Sequence, residues 1–128
     1  MDPKTARYTK SHEWAAIDSD VCTVGITKFA ADQLSDLTYI DLPKIGRTVN
    51  AGASIGTIET TKSANDLYAP VAGEVIAVNE KLVADNNLLK DDPLGAGWMV
   101  KIKMVPGTNL NHLLDQAAYE QHCATEAH

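Results

Sequence analysis

The chain has 128 residues, with 17 acidic and 11 basic side chains and a formal charge of −6. That length suits one domain able to bury a core without disulfides or a structural metal, and the acidic balance argues against nucleic-acid phosphate or an anionic membrane surface as the main partner. No apolar run approaches the roughly 20 residues needed to span a bilayer, and only one Phe is present, which leaves little aromatic surface for stacking bases.

The opening Met1-Asp2-Pro3-Lys4-Thr5-Ala6-Arg7 lacks the apolar region of a secretory signal and is too short for a transit peptide, so a reducing compartment is expected. Turn signals then recur roughly every ten residues with short apolar runs between them, a β rhythm. Strands are predicted over Glu13 to Ile17, Val21 to Gly25, Thr38 to Leu42, Ser54 to Thr60, Asn65 to Tyr68, Gly73 to Val78 and Trp98 to Met104. In the last, Trp98, Val100, Ile102 and Met104 alternate with Lys101 and Lys103, the pattern of a half-buried strand with both tryptophans of the chain, Trp14 and Trp98, in the core. Thr27 is placed to cap a helix over Lys28 to Leu34. Asn86 to Lys90 can add a turn. Thr108 or Asn109 is placed to cap a C-terminal helix in which Leu110, Leu113, Leu114, Ala117 and Ala118 recur at helical spacing, with Ala124 to His128 expected to fray.

Catalytic constellations are absent from this pattern. The four histidines form no metal-ligand pair at helical spacing, and there is no glycine-rich phosphate loop and no Gly-x-Ser-x-Gly. Cys22 and Cys123 belong to no Cys-x-x-Cys motif, which favours two free thiols, with Cys22 a small core residue of its strand. The informative stretch is Ile58-Glu59-Thr60-Thr61-Lys62-Ser63-Ala64-Asn65-Asp66-Leu67: one strand closes, another opens, and Lys62 stands at the tip between them. An amine there is solvated and open to another enzyme. A lysine acting as its own nucleophile needs burial or cationic neighbours, and the flanking Glu59 and Asp66 work the other way. Read alone, Lys62 is first of all a solvated turn residue.

The surroundings of Lys62 resemble the swinging-arm carrier domains, whose hairpin lysine bears lipoate or biotin. Biotin carriers have Met on both sides of the lysine, and the lipoyl domains of 2-oxoacid dehydrogenases have Asp-Lys-Ala. Thr61-Lys62-Ser63, with Glu59 before it and Asp66-Leu67-Tyr68-Ala69-Pro70 after, is instead similar to the H-protein family of the glycine cleavage system. Tyr8-Thr9-Lys10-Ser11-His12-Glu13-Trp14, Val24-Gly25-Ile26-Thr27, Leu42-Pro43, Gly73-Glu74-Val75, Asp92-Pro93 with Gly97-Trp98, and Leu113-Leu114-Asp115 with Tyr119 follow in that family's order. The likeness runs from Tyr8 to Glu120. Departures are Ser35 where the family usually has Gly, Lys28-Phe29 in place of an acidic residue and an aromatic or His, Leu94 in place of an aromatic, and Thr60-Thr61 in place of Ser-Val.

The resemblance implies a mostly β lipoyl/biotinyl-carrier-like barrel-sandwich hybrid, a flattened β sandwich with short peripheral helices and a C-terminal helix, formed as one lipoyl-carrier domain over residues 1–128 with its core at about 8–120. It implies a monomeric, non-catalytic carrier with lipoate amide-linked to Lys62, the reactive chemistry belonging to the cofactor. The implied partners are glycine decarboxylase (the P protein), aminomethyltransferase (the T protein), dihydrolipoamide dehydrogenase (the L protein) and a lipoate-attaching enzyme, for which Glu59 is a recognition candidate. Glu13, Asp66 and the helix ending at Leu34 are candidate walls of a cleft for the arm, with solvated or capping carboxylates the alternative for the two acids. A second reading makes the chain a relay that passes lipoate to other enzymes. The expected location is a bacterial cytoplasm, or the mitochondrial matrix for a mature eukaryotic form.

Overall fold

Alternation at the start of the first long strand sets the architecture. In the computed structural model, which describes residues 1–108 and 110–126, strand β1 (Arg7–Tyr8) pairs with β2 (Glu13–Asp18), and β2 with β3 (Val21–Ile26). Successive side chains of β2 point to opposite faces: Ala15 joins the main core, while Trp14 joins a second cluster with Ala6, Tyr8 and Tyr119. Gly25 is the cross-strand partner of Trp14, and a Cβ there would stand 2.5 Å from the indole ring atoms. The missing side chain makes room for the ring.

After β3 come α1 (Lys28–Gln33), β4 (Leu37–Asp41), β5 (Thr48–Val49), β6 (Ser54–Thr60), β7 (Ala64–Tyr68), β8 (Gly73–Val78), α2 (Lys81–Ala84), α3 (Leu88–Asp91), β9 (Val100–Met104) and α4 (Gln116–Glu126). The larger sheet has the order β1-β2-β3-β9-β8-β5 and the smaller β4-β6-β7, with antiparallel pairing throughout. Val24, Val75, Val100 and Ile102 of the large sheet share one buried cluster with Ile40, Ile55, Ile58 and Leu67 of the small one, plugged by Leu82 of α2 and Leu89 of α3. This is the flattened β sandwich with short peripheral helices that the sequence implied. Cys22 is a fully buried member of that core, with burial pushing its thiol up to about 12, and both cysteines are free.

Thr27 caps α1 as its sequence position predicts, accepting a hydrogen bond from the Ala30 amide at 3.2 Å. Ser35, in the place of a family glycine, needs no positive φ: among the described residues other than glycine, only His12 and Ser19 adopt one. Strand β4 starts one residue earlier than its apolar pattern suggests, with a bulge between Leu37 and Tyr39.

Two expectations fail. Trp98 is not part of the last strand's inner face. It precedes β9, packs half-buried against the Trp14 cluster and holds the Lys101 ammonium 5.1 Å from its ring centroid, while the adjacent Met99 is buried in the main core. The C-terminal helix does not begin near Thr108, and Asn109 lies outside the described residues. Leu114 forms a β-bridge with Tyr8, Leu113 enters the main core, and the helix starts at Gln116. Asp115 is the better cap: its carboxylate accepts from the Ala118 amide at 2.8 Å, and the leucines before it are spent on sheet pairing and core filling. Ala124 and Thr125, expected to fray, continue α4, and Ala127 and His128 lie outside the described residues.

Candidate functional site

The hairpin between β6 and β7 turns within four residues. Thr60 shapes the turn: its amide donates to the Ser63 carbonyl at 2.8 Å, and its hydroxyl accepts from the Ser63 amide at 3.1 Å and the Lys62 amide at 3.3 Å. The Thr61 amide donates to the Asp36 carbonyl at 2.9 Å, so the chain entering β4 braces the tip from outside. Lys62 is exposed at the apex of this braced turn. Its ammonium makes no hydrogen bond and no ion pair among the described residues.

Beside the tip lies a groove of about 550 Å³. Lys62 and Asp66 line it from the hairpin, Leu34 from the end of α1, and His12 and Glu13 from the head of β2, over an apolar floor that includes Ile58. Three of the predicted cleft residues, Glu13, Asp66 and Leu34, thus meet around one space with Lys62 at its mouth. Glu59 is exposed, lies outside this lining and is the cross-strand partner of the half-exposed Tyr39.

Glu13 is neither solvated nor a helix cap. It is 2% exposed, on the same face of β2 as Ala15, turned towards the small sheet. Its Oε1 accepts from the Thr9 hydroxyl at 2.6 Å and the Ser11 hydroxyl at 2.5 Å, and its Oε2 lies 3.5 Å from the Tyr68 amide of β7. Burial raises its pKa above the usual carboxylate range, and these hydrogen bonds, with nearby His12, hold the rise down. Glu13 therefore ties the two sheets together at the floor of the groove.

Sequence reasoning missed the partners of Glu13. Thr9 and Ser11 reach Glu13 because the chain turns between β1 and β2, with the His12 amide on the Thr9 carbonyl at 3.1 Å and the Thr9 amide on the Glu13 carbonyl at 3.0 Å, a closure that residue spacing does not reveal. His12 gave no sign either: it enters the groove lining because its backbone takes φ +72° at the turn into β2. Among the described residues no group of three or more His, Cys, Asp or Glu stands close enough to hold a metal ion, and no helix is long and apolar enough to cross a membrane.

Comparison with known proteins agrees over nearly the whole length. The family described as Glycine cleavage H-protein matches residues 6–126. A Glycine cleavage system H protein of Thermotoga maritima is 46% identical over 123 residues, covering 96% of this chain and 99% of its own. One from Marinobacter nauticus is 46% identical over 125 residues, covering 97% and 96%. The crystal structure of a glycine cleavage system H protein from Mycobacterium marinum is similar at a TM-score of 0.83 and 34% identity, covering 99% of this chain and all of that one. With the sandwich, the hairpin lysine and these matches in agreement from end to end, the chain belongs to the glycine cleavage H-protein family.

Proposed function

We infer that this chain is the lipoyl-bearing shuttle of the glycine cleavage system, a single carrier domain with Lys62 as its attachment point. The observation that carries the reading is an exposed lysine with no polar partner among the described residues, on a turn fixed by Thr60 and Asp36 at the mouth of a groove lined by apolar side chains and by carboxyl groups. Lipoate amide-linked to Lys62 would supply the disulfide that accepts the aminomethyl group of glycine, its carboxyl leaving as carbon dioxide at the P protein, and the dithiol for reoxidation at the L protein once the T protein has taken that group.

The residues present fit such a group. The Lys62 amine stands in water where an attaching enzyme can reach it, and Glu59, outside the groove, is free to be read by that enzyme. The braced turn keeps the base of a long arm at a defined place, so that the arm's end is held at high effective concentration near each partner's active site. Leu34 offers apolar surface to a hydrocarbon chain, and a primary amine brought into the groove meets the exposed Asp66, with the buried Glu13 in the same lining. Such a pairing retains the ammonium.

Reconstitution tests this. Lipoylated protein with P protein should support exchange of the glycine carboxyl with bicarbonate, and Lys62→Arg protein should support none. Loaded protein that fails in exchange yet donates lipoyl groups to another acceptor would move the chain to lipoate relay.

A further inference from the structure

A polar network at the far end of the groove's helical wall is left over by this reading. Helix α1 has six residues, too few to hold a helix by itself. Its cap, Thr27, is buried and held from elsewhere: the Thr27 hydroxyl lies 2.6 Å from the hydroxyl of Tyr119, on α4. The same Tyr119 hydroxyl lies 2.7 Å from Nδ1 of His12. His12 in turn stacks on Phe29 of α1 with centroids 4.8 Å apart, and its carbonyl accepts from the Thr27 amide at 3.0 Å.

One hydroxyl thus joins the two sides of the groove. His12 stands on the side of Glu13, Thr27 begins the helix that ends at Leu34, and Tyr119 touches both without lining the groove itself. Its ring is held separately, stacked on Tyr8 at 4.7 Å and 13°. One turn further along α4, His122 packs 5.6 Å from the His12 ring, with Nε2 3.1 Å from the Lys10 carbonyl. The loop that carries His12 is gripped twice, and its left-handed backbone, rare for any residue but glycine, is held by those contacts.

We propose that Tyr119 is a positioning residue: through His12 and Thr27 it sets the separation between α1 and the Glu13 wall, and so the width of the groove beside Lys62. The functional meaning of that width rests on the carrier reading. The placement of the wall does not, and can be measured on the unmodified chain.

Tyr119→Phe keeps the ring on Tyr8 and removes only the hydroxyl. Amide hydrogen exchange on the unmodified protein should then show Ala30, Ala31 and Leu34 exchanging about tenfold faster, with Val24 and Ile102 of the central strands unchanged. His12→Asn, which tolerates a left-handed backbone, should do the same, and the double variant should exchange no faster than the faster single one. Unchanged exchange in α1, an equal rise in the central strands, or additive effects in the double variant would each overturn the proposal. Intact mass after incubation with a lipoate ligase separates the two readings: a wild-type chain that takes no lipoyl group sinks the carrier function, while the exchange result still decides the role of Tyr119.

Discussion

At Glu13, burial and hydrogen bonding pull in opposite directions, and burial prevails: the carboxyl titrates above its ordinary range despite donors from Thr9, Ser11 and Tyr68. The folded chain therefore binds a proton that the unfolded chain has already lost, in the window above the ordinary glutamate pKa of about 4.3. Stability from this group is present below that window and is lost as pH rises through the folded pKa. Glu13→Gln removes the titration and retains an acceptor for Thr9 and Ser11. Its melting temperature relative to wild type should rise as pH climbs through and above the ordinary glutamate range, read by thermal melts from about pH 4 upward, and a constant difference would contradict the assignment. An ammonium entering the groove would favour the ionised carboxylate again, which gives the buried acid a use in holding an amine. Glu13 stood out in the sequence as a candidate, but its hydrogen bonds to Thr9 and Ser11 did not, because the turn between β1 and β2 forms them. The burial of Glu13 was hidden as well, because it depends on β7 of the other sheet, 55 residues away.

Among the elements, those whose residues answer to near neighbours were the easiest to read. The strands β2, β3, β6 and β8 and the capped α1 follow from alternation and from Thr27. The two-residue strands β1 and β5 offer no period to read, and they exist only because β2 and β8 present edges to them. The start of α4 was misread because helical spacing over Leu110 to Ala118 cannot reveal that Leu114 is already paired with Tyr8. The contact between β2 and β3 is a case where backbone and side chain are mutually fitted. Gly25→Ala would drive a methyl group into the Trp14 ring, whose Nε1 is anchored on the Pro93 carbonyl at 2.9 Å. We expect a loss of about 1–3 kcal/mol, as for overpacked cores, measured by denaturant unfolding with Trp fluorescence. A variant as stable as wild type would mean that the ring moves freely, contrary to its anchored position.

For the whole molecule the net charge of −6 bears on encounter rather than on folding. Acylation of Lys62 removes one positive charge and makes the chain more acidic, which suits docking on basic surfaces of larger partners. The association rate with the P protein should therefore fall as salt rises from about 0.05 to 0.5 M while the dissociation rate changes less, measurable by stopped flow. A salt-independent rate would remove charge from the account. The site itself was legible to unequal depth: a lysine between two strands and an acid on either side stand out in the sequence, whereas the groove is assembled from α1, the head of β2 and the β6–β7 hairpin, which meet only in the fold. The central claim, that Lys62 is the attachment point, is tested most directly by intact mass. Incubated with a lipoate ligase, the wild-type chain should gain one lipoyl group and the Lys62→Arg chain none, and a wild-type chain that gains nothing, or a variant that is still modified, would contradict it.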